Sequence, residues 1–206
     1  MKQRSYRWLF AILAVVGFVA DQASKYGVFR AFGNEGRGST VVVVPNFFNI
    51  EVRFDYKADA CDCPLVKLNG PFPPYVNHGA LFGIFGEHED RANLFFLGIS
   101  LLAAVAITWW ATRSATRRDG LLLAALGLIL GGTLGNLYDR AIFGGVRDFL
   151  DFYLGSRHWP TFNVADCCLV CGAGLLLVQA LFTKPRKDDE EAPGATAQEM
   201  KDTGIV

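Results

Sequence analysis

The sequence predicts an all-α membrane protein with four transmembrane helices and a small extracytoplasmic segment that contains β-structure. Three observations carry this. Stretches at about 8–29, 92–112, 121–138 and 164–183 are apolar over the roughly 20 residues that a helix needs to cross a bilayer. Polar residues collect in 30–91 and 184–206, so mean hydropathy is only +0.25 although 51% of the residues are hydrophobic. Carboxylates gather near the ends of the spans and avoid their middles, where an ionised group costs about 2.5–3.5 kcal/mol on insertion scales.

The first span begins behind Lys2, Arg4 and Arg7. Residues 8–20 alone are too short for about 30 Å of hydrocarbon, and Phe18 does not suit a signal-peptide cleavage site after Ala20. The helix is therefore expected to be retained and to run on to about Phe29. Asp21 and Lys25 are then i,i+4 neighbours in the favourable order for an ion pair. In 30–91, Gly33, Gly36 and Gly38 end the helix, and the Val, Ile and Phe residues of 40–54 predict strands. Residues 55–75, rich in proline, read as an irregular loop, and their place just before Asn77 predicts a lid or partner site. Cys61 and Cys63 lie in that loop, where a local disulfide, a bound metal and two plain thiols all remain open. His78 reads as a solvated loop side chain, and the aromatics of 82–85 as residues for the membrane surface.

The second span ends on Trp109-Trp110, an interfacial anchor. In the third, Gly127, Gly131 and Gly135 recur every fourth residue, a stripe for close helix packing. Cys167, Cys168 and Cys171 sit inside the fourth span and read as small buried hydrophobes. Residues 184–206 are expected to form a disordered cytoplasmic tail. The basic groups Lys2/Arg4/Arg7, Arg113/Arg117/Arg118 and Lys184/Arg186/Lys187 fall on one side of this path, which the positive-inside rule makes cytoplasmic. Both termini are then cytoplasmic, and Asp21, Asn77, Asp139, Asp148 and Asp166 lie at the outer face.

A net charge of zero, with no basic region, excludes a nucleic-acid partner. Five cysteines without paired C-x-x-C motifs give no zinc site. No metal or other cofactor is expected. Asp148 and Asp166 flank the start of the fourth span, and Asn163 is placed to cap it with Asp166 at its third position. Two carboxylates brought together share a proton: the ionised one activates water and the other donates to a carbonyl or leaving amine. Caps and interfacial ion pairs explain the same spacing, so that reading stays open. So do a small transporter or channel subunit and a metal-dependent lipid enzyme holding Mg²⁺ on Asp139, Asp148 and Asp166. A transporter, however, places its ionisable groups near the bilayer midplane.

The motifs Asp21-Gln-Ala-Ser-Lys25, Asn77-His-Gly-Ala-Leu-Phe-Gly-Ile-Phe85, Gly135-Asn-Leu-Tyr-Asp-Arg140, Val146-Arg-Asp-Phe-Leu-Asp151 and Phe162-Asn-Val-Ala-Asp166 resemble, in order, those of bacterial lipoprotein signal peptidases (signal peptidase II). The resemblance covers about residues 5–183. It implies a four-helix inner-membrane aspartic endopeptidase that cuts prolipoproteins before the diacylglyceryl-modified cysteine, with those prolipoproteins and membrane lipids as partners. It puts the catalytic pair on Asp148 and Asp166. The supporting residues fall on Asp21, Lys25, Asn77, Asn136, Asp139, Arg140 and Asn163. It also implies a small β-structure and a mobile segment over the site, which suits 40–86. Ser24 replaces the usual Thr, Leu81 stands where a small residue is common, and 55–75 reads as an insertion.

Overall fold

The fold is built on helix α4 (Gly120–Phe143), whose glycine stripe lets two other helices approach its backbone. The computed structural model describes residues 5–32, 38–55, 63–79 and 89–182. Around α4 pack α1 (Arg7–Phe32), α3 (Glu89–Thr112) and α5 (Val164–Phe182). All four helices are long and apolar enough to cross a membrane, which makes this a multi-pass membrane protein. A Cβ at Gly127 would lie 2.7 Å from the Phe10 carbonyl oxygen, and one at Gly131 would lie 2.8 Å from that of Ala14. Only glycine permits that contact between α4 and α1. Gly132 and Gly172 do the same between α4 and α5, against Ala165 and Ile129. The helix faces left over are apolar and exposed, as at Leu102 and Val105 on α3 and Val170 and Leu181 on α5. Such faces suit lipid.

Local chemistry sets the ends of α4. Asp119 caps its start by accepting the Leu122 N–H at 2.9 Å. Gly144, with φ 74°, supplies the left-handed residue that closes it. The helix therefore continues past Tyr138, where the expected span stops, to Phe143. At the opposite end from Gly144, Arg7 donates to the Thr112 carbonyl, and the Arg113 guanidinium stacks 3.8 Å over the Trp109 ring.

A four-stranded antiparallel sheet joins two regions far apart in sequence: β1 (Ser39–Val44), β2 (Phe48–Val52), β3 (Leu150–Leu154) and β4 (Arg157–His158), in that order. β1 and β2 turn through Asn46, with φ 63°, a value asparagine tolerates. β2 pairs with β3 so that Phe48 faces Phe152 and Asn49 faces Asp151. Phe29 of α1, Val52, Phe54 and Phe149 form a buried cluster that fixes the sheet to the end of α1. Residues 139–163, between the third and fourth expected spans, contain β3 and β4. Their signal is the apolar alternation of 150–154 followed by Gly155, with φ 61°, in the turn. Within 55–75, expected to be irregular, Pro64–Lys67 forms a one-turn helix, α2, with proline in its first turn. The tail 184–206, Cys61 and the aromatics of 82–85 lie outside the described residues.

Candidate active site

Two pairs of carboxylates meet at the Gly144 end of the bundle, and they are held in opposite ways. The first pair, Asp21 on α1 and Asp139 on α4, is fully buried. It is held by cations: Lys25 Nζ lies 2.9 Å from Asp21 and 3.3 Å from Asp139. Arg147 forks onto Asp139, with Nε donating at 3.1 Å and Nη2 at 2.7 Å. Gln22 Nε2 donates to both acids, at 2.9 and 3.2 Å. Two acids and two bases thus balance in a space closed to water. Removing one member of such a buried pair costs about 3–5 kcal/mol, because the other charge is left uncompensated. Asp21 has a second task. Its Oδ1 accepts the Ala165 N–H at 2.9 Å, which pins the first turn of α5.

The second pair, Asp148 and Asp166, is half-buried and held by amides. Asn163 Nδ2 donates to Asp148 Oδ1 at 2.7 Å, and exposed Asn77 donates to Asp148 Oδ2 at 3.0 Å. Asn136 donates to Asp166 Oδ1 at 3.0 Å. Asn163 and Asp166 cap α5 reciprocally: Asp166 Oδ2 accepts the Asn163 N–H at 3.1 Å, and Asn163 Oδ1 accepts the Asp166 N–H at 3.2 Å. Asn163 therefore touches both carboxylates, through its side chain and through its backbone. Asn136 links this pair to the buried one, since its Oδ1 accepts from Lys25 at 3.3 Å and from Asn163 at 3.2 Å. Burial pushes the Asp148 carboxyl up to about 6, against the pull of its two amide donors, and the Asp166 charge pushes the same way.

Of the residues singled out in the sequence, Asp21, Lys25, Asn77, Asn136, Asp139, Asn163, Asp148 and Asp166 join one hydrogen-bonded system. Arg140 stands beside it. Its guanidinium lies 5.0 Å over the Phe96 ring and its buried Nη1 has no hydrogen-bond partner among the described residues, while the charges of Asp148 and Asp166 act on it. His78, expected to be solvated, has Nδ1 2.9 Å from the Gly144 carbonyl and so ties the Asn77 loop to the end of α4. Asp139 has both oxygens bonded to Arg147, and neither is bonded to the amides that hold Asp148 and Asp166 among the described residues. Sequence reasoning missed Arg147, Gln22 and Asn69. Gln22 carried a signal, because Asp21, Gln22, Lys25 and Phe29 share one helical face. Arg147 showed only as a charge between Val146 and Asp148 in an otherwise apolar stretch.

A four-helix bundle with a network of polar and charged side chains at one end defines a multi-pass membrane protein with a candidate site at one membrane face. The chain belongs to the signal peptidase II family: residues 68–182 match the family model for signal peptidase (SPase) II. A lipoprotein signal peptidase of Alteromonas mediterranea is 32% identical over 188 residues, 91% of this chain and 88% of that protein. One from Francisella tularensis subsp. novicida is 32% identical over 86% of this chain and 94% of its own length. A third, from Sulfurihydrogenibium, reaches 44% over 112 residues, 54% of this chain and 69% of its own. A solved bacterial membrane enzyme, determined by the in meso method at 2.3 Å, superposes with a TM-score of 0.65 at 25% identity, covering 94% of this chain and 99% of that one. The transporter reading has no support among these relatives.

Proposed function

We propose that this protease is an aspartic endopeptidase that removes signal peptides from prolipoproteins, cutting before the diacylglyceryl-modified cysteine, with Asp148 and Asp166 as its catalytic pair. The observation that carries the reading is Asn163, which donates to both carboxylates and so holds them as one unit. No cation is bonded to either acid among the described residues, and burial disposes Asp148 to retain a proton. The ionised member takes a proton from water as that water attacks the scissile carbonyl. The protonated member donates to the carbonyl oxygen and later, with roles reversed, the leaving amine is protonated. Asp148 is only half-buried and its Oδ2 partner Asn77 is exposed, so substrate and water approach from that side. Lys25, Asp21 and Asp139 hold α1, α4 and α5 together behind the site.

The proposed setting is the bacterial inner membrane, with both termini cytoplasmic, the site at the outer face and residues 1–183 as the peptidase unit. Arg7, Arg113 and Arg118 at the end remote from the acids support this orientation. Arg147, though at the site end, has its charge taken up by Asp139. The test is cleavage of a diacylated lipobox peptide by the purified chain, with and without strong chelator. Cleavage unaffected by chelator is expected. Loss of activity that returns with added Mg²⁺ would instead favour a metal-dependent enzyme.

A further inference from the structure

Arg147 immediately precedes Asp148, is completely buried, and makes more hydrogen bonds than either proposed catalytic acid. Its guanidinium bonds three partners. It forks onto Asp139 of α4, donates through Nη2 to Gln22 Oε1 of α1 at 2.9 Å, and donates through Nη1 to Asn69 Oδ1 at 2.8 Å. The rings of Phe143 and Tyr26 lie on it at 3.9 and 4.4 Å. Planarity and a fixed fork of donors suit arginine, and not lysine, to such a slot. The backbone is clamped as well. The Arg147 N–H donates to Asp139 Oδ2 at 3.0 Å. On one side Val146 exchanges two hydrogen bonds with Asn77, and on the other Phe149 N–H donates to the Phe162 carbonyl at 3.1 Å. Asp148 is the one residue of 146–149 that is not buried, while its neighbours are tied to α1, α4, Asn69, Asn77 and Phe162.

Asn69 extends the clamp into the insertion. It is itself fully buried. Its Nδ2 donates to the Val66 carbonyl at 3.0 Å, closing the turn of α2, so its Oδ1 is left to face Arg147. The segment from α2 to Asn69 is therefore held against Arg147, a placement that suits a strut.

We propose that Arg147 is a positioning residue that sets the Asp148 carboxylate between Asn77 and Asn163, and that Asn69 of the insertion acts through it. This rests on the peptidase reading above. The charged groups acting on Asp148 are Asp166 of α5, Lys25 of α1 and Arg140 of α4, and none of these is altered in the test. Slackening the clamp lengthens the hydrogen bonds that stabilise the Asp148 carboxylate, so its proton is held to higher pH.

The full chain in proteoliposomes is assayed on a diacylated lipobox peptide as Asn69→Leu, Arg147→Lys and the double variant, with rates expressed per folded molecule. Asn69→Leu is expected to lower kcat about tenfold with KM nearly unchanged, and to move the alkaline limb of the pH–rate profile up by about half a unit or more. The double variant is expected to match Arg147→Lys alone, as for two residues acting in one chain of contacts. A lower kcat with an unmoved limb, or additive losses in the double variant, would overturn the proposal, since a merely structural defect behaves that way. Should Arg147→Lys fail to fold, the limb of Asn69→Leu decides alone. Failure of the unaltered chain to cleave the peptide would sink the peptidase reading and this proposal together. An active parent with Asn69→Leu unchanged from it sinks the proposal only.

Discussion

Asp21 and Asp139 form one acid pair, and Asp148 and Asp166 form the other, at the same end of the bundle and joined through Asn136. The first is buried completely and met by Lys25 and Arg147. The second is partly open and met by Asn77, Asn136 and Asn163. Cations compensate buried carboxylates and tie together the segments that carry them, so a cation-held pair fastens helices. Neutral amides orient a carboxylate without supplying a counter-charge, so burial still raises the Asp148 pKa against their pull. The difference in partners, more than the difference in burial, separates the acid pair that holds the fold from the one proposed to do chemistry.

The largest effect that would sharpen this contrast is loss of the exchangeable proton. Asp148→Asn and Asp166→Asn are each expected to reduce cleavage by about 10³-fold or more while substrate binding stays measurable. The double variant should be little worse than either single one, because the two act as a unit. Additive losses in single-turnover assays would mean that the acids work independently.

Next in size is the cost of breaking the buried pair. Asp139→Asn leaves Arg147 without its carboxylate partner and Lys25 with Asp21 alone. It should destabilise the protein by about 3–5 kcal/mol, read as a lower melting temperature in detergent. An unchanged melting temperature would show that the network contributes little.

A smaller effect has a definite sign. Burial raises the Asp148 pKa from 3.8 to about 6. The folded state thus holds this proton more tightly than the unfolded chain does. The stability it contributes is full below the unfolded value near 3.8 and is lost as pH rises through about 6. Asp148→Asn, which never ionises, should therefore melt higher than the parent above pH 6, by on the order of 1–2 kcal/mol, with the gain fading in acid. A gain that grows as pH falls would have the wrong sign.

The smallest effect is expected at Asp151, which shares its chemistry with Asp148 but sits in β3. There it accepts from Asn49 at 3.1 Å and lies 2.9 Å from His158. Asp151→Asn should change cleavage less than about threefold and stability by about 1 kcal/mol. Inactive Asp151→Asn beside an active Asp148→Asn would reverse the assignment.

What could be read from the sequence was local. Charge-free windows located the helices, i,i+4 spacing paired Asp21 with Lys25, and Asn163 three residues before Asp166 announced the cap at α5. The remainder depends on contacts that no local pattern encodes. The β2–β3 pairing joins Asn49 to Asp151 across the whole of α3 and α4. Arg147 and Asn69 each look like an ordinary loop residue until the fold buries them against one another. Burial turns their hydrogen bonds from exchangeable with water into obligatory, and burial is a property of the assembled bundle.

The most direct measurement sets Asp148→Asn beside Asp139→Asn in the same membrane preparation, recording cleavage per folded molecule and melting temperature for both. Asp148→Asn is expected to lose about 10³-fold in cleavage with no fall in melting temperature, and Asp139→Asn to lose only about tenfold per folded molecule while its melting temperature drops. The opposite pattern, an active Asp148→Asn with a lowered melting temperature and a stable but inactive Asp139→Asn, would contradict the division between an acid pair that holds the fold and one that does the chemistry.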